Sequence, residues 1–87
     1  MSKSQTVHEI ESGFAARADE IARREQAAWL EYLEMLRPCD ADLYAETEPL
    51  AWRRLRRTLA ALAHDRRRDE FERDRALAEA HGLRLAG

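Results

Sequence analysis

Apolar residues return at helical spacing from the start of the chain. At 100° per residue, Val7, Ile10, Phe14, Ala18, Ile21, Trp29, Tyr32 and Leu36 fall within one arc. Thr6 and Glu9 have the spacing of a capping box, which predicts a helix start near residue 6. Pro38 disfavours helical geometry in the residue before it, so the pattern predicts a helix over about 6–37. Gly13 is a weak point in its early turns.

The segment PCDADLYAET then predicts a turn over 38–47, with room for a single helical turn capped by Asp40 and with Leu43 and Tyr44 covering the end. Thr47 reads as the cap of a second helix, with Pro49 in its first turn, where a missing N–H costs little. From there Trp52, Leu55, Leu59, Leu62, Leu77 and Ala80 form a second stripe, over about 48–81. Gly82 followed by Leu83 reads as a left-handed stop before a short tail.

The expected fold is therefore all-α: one domain, a long antiparallel helical hairpin with arms of roughly 30 residues, about 45 Å each. Two helices bury one stripe each, which is little core for 87 residues. A partner is expected, most simply a second copy giving a four-helix bundle. A three-helix monomer is the rival, and the turn segment is short for it.

Composition supports helix. The chain is rich in Ala, Leu, Glu and Arg, with three glycines and two prolines. Charged residues make up 37% and mean hydropathy is −0.70, values compatible with disorder, but the spaced aromatics and leucines favour a packed helix. Charge is divided along the chain. Residues 1–49 carry five basic and eleven acidic side chains, and residues 50–87 carry ten basic and six acidic, giving −2 overall. The halves should attract.

Charges also interrupt the stripes. Glu25 lies within the first arc and Glu11 at its edge, while Arg66 and Arg73 occupy the second. With a turn centred near residue 43, Glu25 comes within a helical turn of Arg66, and Glu11 comes close to Arg73. These predict interior or rim ion pairs that fix register, in preference to a catalytic carboxylate.

Outside the second stripe, Arg53, Arg57, His64, Arg68, Phe71 and Arg75 share one side of the helix. An ordinary solvated face, a protein-binding face anchored by Phe71, and a phosphate-binding face compete for it. Interleaved Asp65, Asp69, Glu70, Glu72 and Asp74 weaken the nucleic-acid reading, and no zinc-finger, helix-turn-helix or leucine-zipper pattern accompanies it.

Enzymatic chemistry finds little support. The sequence has no Gly-rich phosphate loop, CxxC or HExxH, and no cofactor or small-molecule substrate is expected. His8 and His81 at the open end read as exposed residues in preference to zinc ligands, and Cys39 as a reduced thiol. No apolar run suggests a secretory leader or a membrane span, and the arginines on several sides of the second helix argue against a membrane-surface helix, so the cytoplasm is the expected compartment. The expectation is a non-enzymatic, homodimeric interaction protein that regulates, inhibits or chaperones a protein partner through the Arg/Phe face. The alternative is a small RNA- or DNA-binding regulator using the same face.

Overall fold

The computed structural model describes residues 3–82 and consists of two helices, α1 over Lys3–Leu36 and α2 over Ala41–Gly82, folded back on each other as an antiparallel hairpin. Its Cα extents are 67 × 21 × 8 Å, so the molecule is a slab one helix thick.

The connection is tighter than the sequence pattern suggests. α1 ends before Pro38 in a turn in which the Cys39 N–H donates to the Leu36 carbonyl at 3.1 Å. Asp40 then caps α2. Its Oδ1 accepts the Leu43 N–H at 2.8 Å, and its carbonyl accepts the Tyr44 N–H at 2.7 Å. The expected turn over 38–47 and cap at Thr47 are therefore corrected: the link is residues 37–40, and Thr47 and Pro49 lie inside α2. Residues 41–48 contain no breaker, and once Asp40 starts the helix, Pro49 interrupts only one bond of a continuing ladder.

The other ends shift as well. α1 starts at Lys3, ahead of Thr6, so Thr6 and Glu9 do not form a terminal capping box. Nothing in the Lys-Ser-Gln stretch excludes helix. Gly82 is the last helical residue and does not take a left-handed conformation. Leu83 and the tail lie outside the described residues.

The core is a single line along the helix–helix seam: Ile21 and Leu36 from α1, and Ala51, Leu55 and Leu62 from α2. Ala51 is the most buried of these, which marks a close approach of the backbones near the turn. Val7, Ile10, Phe14, Tyr32, Leu59, Leu77 and Ala80 are half-buried. Ala18, Trp29 and Trp52, which the pattern places in the core, are exposed. Leu43 and Tyr44 are exposed as well and do not close the end of the hairpin. The reason is geometric. An apolar stripe about 100° wide is matched to a groove between two neighbours, and one neighbour covers only its middle.

Pro49 removes an internal backbone hydrogen bond in a helix that continues on both sides of it. Pro49→Ala is expected to stabilise the chain, by up to about 3 kcal/mol on the helix-interior scale. A raised thermal midpoint with unchanged helical circular dichroism would be the expected result, and an unchanged or lowered midpoint would contradict this account.

Candidate protein-interaction surface

The edge of α2 that points away from α1 is built by periodicity. Arg53, Arg57, His64, Arg68, Phe71 and Arg75 recur on the side opposite Ala51, Leu55 and Leu62, and all six are exposed. Phe71 is 68% exposed, more than any other large apolar side chain described. The ridge divides electrostatically. Arg68 reaches Asp65 at 3.5 Å and Arg75 reaches Glu79 at 3.3 Å, both within α2. Arg53 and Arg57 have no ion-pair partner among the described residues. With Glu48, Pro49, Trp52 and Arg56 they line a shallow concavity of about 480 Å³. The ridge thus presents free guanidinium groups towards the turn and an aromatic side chain with screened arginines beyond it.

Across the seam, the opposite charges of the two halves meet. Glu31 pairs with Arg54 at 2.8 Å, Glu11 with Arg73 at 3.5 Å, and Glu25 with Arg66. Arg17 runs the other way, reaching Glu72 at 3.5 Å and Asp69 at 3.7 Å while its guanidinium lies over the Phe14 ring at 5.0 Å. The pairings expected from hairpin register are present, but they are not interior. The side chains of Glu25 and Arg66 are 33% and 38% exposed, and no charged residue is buried among those described. A seam between two helices has no interior in which to enclose a pair. The Arg66 guanidinium, hydrogen-bonded to Glu25, holds that carboxyl below its usual range, and Glu25 in turn raises Arg66. Glu20 is lowered likewise by Arg23 and Arg24.

Near the turn, Trp29, Tyr32 and Trp52 form an edge-on aromatic trio with ring centroids 5.9–6.3 Å apart. The Tyr32 hydroxyl donates to Glu48 at 3.1 Å. Partial burial, and then that bond, raise the phenol above its ordinary value. At the other end of the hairpin a cleft of about 440 Å³ opens beside Phe14, Ala18 and Ile21, walled by Glu11, Arg66 and Arg73. Nothing in the order of residues signals that Trp29 and Trp52 surface. Their spacing is that of core, and only the missing second layer exposes them.

These surfaces hold charge and aromatic area. His64 is exposed on the ridge, and Cys39 donates weakly to the Met35 carbonyl at 3.5 Å. Among the described residues no three His, Cys, Asp or Glu side chains converge as a metal site, and no helix is long and apolar enough to cross a membrane. Comparison with protein-family models, with curated proteins and with solved structures found no match. The functional reading rests on the geometry.

Because the folded pKa of Glu25 lies below its unfolded value, its contribution to stability is full above the unfolded pKa and is lost as pH falls through the folded one. Glu25→Gln should flatten the fall of the urea midpoint with acidification below about pH 4.5, the ordinary carboxylate range. An unchanged acid slope would mean that the Arg66 contact contributes nothing in solution.

Proposed function

We propose that this chain is a non-enzymatic, homodimeric interaction protein of the cytoplasm that binds a protein partner through the outer ridge of α2, and by doing so regulates, inhibits or chaperones it. The observation that carries this reading is Phe71, 68% exposed on the helix edge farthest from the hairpin seam and flanked by Arg68 and Arg75 one turn away on either side. An aromatic side chain framed by arginines is the composition that concentrates binding energy at protein interfaces. Arg53 and Arg57, without an ion-pair partner among the described residues, extend the same ridge towards the turn and suit an acidic helix or loop on the partner.

The free Arg53 and Arg57 also favour a second reading, in which this end of the ridge contacts nucleic-acid phosphates. Against it stand the net charge of −2 and the intrahelical pairing of Arg68 and Arg75. The two readings differ in what Phe71 does. In a protein interface it is an anchor, whereas phosphate binding depends on the arginines alone.

Affinity capture from the native host, with and without nuclease, separates them. A nuclease-resistant protein is expected, and Phe71→Ala should weaken its binding by ten-fold or more, about 1.4 kcal/mol or above, with helicity unchanged. Nuclease-sensitive retention that survives Phe71→Ala and falls steeply with salt would favour the second reading instead.

A further inference from the structure

Both broad faces of the slab are uncovered, and one of them, at right angles to the Arg/Phe ridge, has a pronounced relief. Towards the turn it bulges: Trp29 is 44% exposed, Leu33 56% and Trp52 41%. Five helical turns away, about 18 residues or 27 Å, the same angular positions carry Glu11, Ala15 and Glu70. Those three residues line the cleft of about 440 Å³, beside the small side chain of Ala18. The face therefore has large side chains at one end and a hollow at the other, on the same side of the same helices. Such a surface is complementary to its own copy turned end for end.

We infer that a second copy of this chain covers this face in an antiparallel, two-fold arrangement, α1 on α1 and α2 on α2. Trp29 of each copy sits over Ala15 of the other, and Leu33 comes to the height of Glu11 at the wall of the cleft. The inference rests on the homodimer reading above and goes beyond it by fixing the face and the direction.

Three observations support it. The first is register. Averaging positions about five turns apart puts the midpoint between bulge and hollow at Ala22 on α1 and at residue 61 on α2, two residues from Ala63. The Glu31–Arg54 and Arg17–Asp69 contacts set Ala22 and Ala63 at the same height in the hairpin, so a single axis passes both. The second is charge. About that axis Arg56 of one copy comes beside Glu70 of the other, reciprocally. Arg56 and Glu70 have no ion-pair partner among the described residues. A parallel arrangement would instead place Arg56 over Leu30 and Leu33 and leave the cleft open.

The third is area. A compact protein of 10.1 kDa exposes roughly 5,300 Å², whereas this chain exposes 6968 Å². Its radius of gyration is 19.8 Å, against about 12 Å for a compact chain of this length. The excess, roughly 1,700 Å² per chain, falls within what one subunit of an obligate homodimer buries. The ridge of α2 stays clear, because it points along the slab and not out of the covered face.

The test uses the full chain with Cys39→Ser and one new cysteine at a time, read by sedimentation velocity and mild oxidation. A dimer is expected, in which Ala22→Cys cross-links readily. Leu33→Cys should not cross-link, its two copies being about 35 Å apart. Ala22→Glu, at an exposed helical position, should weaken self-association ten-fold or more while helical circular dichroism is kept. A dimer that cross-links through Leu33→Cys and not Ala22→Cys overturns the arrangement but leaves the homodimer reading standing. A monomer at tens of micromolar overturns the homodimer reading with it.

Discussion

Two helices side by side share one line of contact, and most of this molecule follows from that constraint. A line of contact buries a single row, Ile21 and Leu36 against Ala51, Leu55 and Leu62, and leaves both flanks of each apolar stripe uncovered. It also leaves no place where a charge can be enclosed. Each cross-helix ion pair is therefore at least partly open to water, and their role is to choose a register rather than to supply much stability. The small row of core residues and the exposed aromatic trio are two results of the same geometry.

Register is where the charges matter most. A hairpin with a narrow apolar seam can slide by a turn at little cost in buried area. Opposite charges spread along the seam, from Glu31–Arg54 near the turn to Glu11–Arg73 near the open end, penalise such a slide at several heights at once. The division of the chain into an acidic half and a basic half is the sequence-level trace of this ladder. Arg17, a cation on the acidic arm that meets Asp69 and Glu72 on the basic one, breaks the uniformity and so sharpens the choice.

This makes the hairpin and its pairings readable from the sequence, because both rest on periodicity and on the position of one turn. Glu25 and Arg66 could be matched to within a helical turn by counting residues from a turn centred near residue 43. What could not be read was burial. Trp29 and Trp52 have core spacing, and spacing says which side of a helix is apolar without saying whether anything lies against it. The start of α2 was misleading for a different reason. Thr47 followed by Pro49 is a sound helix opening in isolation, but Asp40 offers a cap seven residues earlier, and the earlier cap wins once the intervening residues are willing helix formers. The Arg/Phe ridge, by contrast, needed only the helical period, since it lies opposite the seam whatever covers the flanks.

The short link between the helices also orders the steps by which the chain comes together. The Tyr32–Glu48 contact joins residues 16 apart in sequence, whereas Glu11–Arg73 joins residues 62 apart. On a logarithmic loop-closure scale the second contact costs about 1 kcal/mol more than the first if each forms alone. Assembly therefore runs as a zipper from the capped turn, through the aromatic trio, towards the open end. The same scale makes the turns at the open end cheaper to part from each other than those beside the capped link.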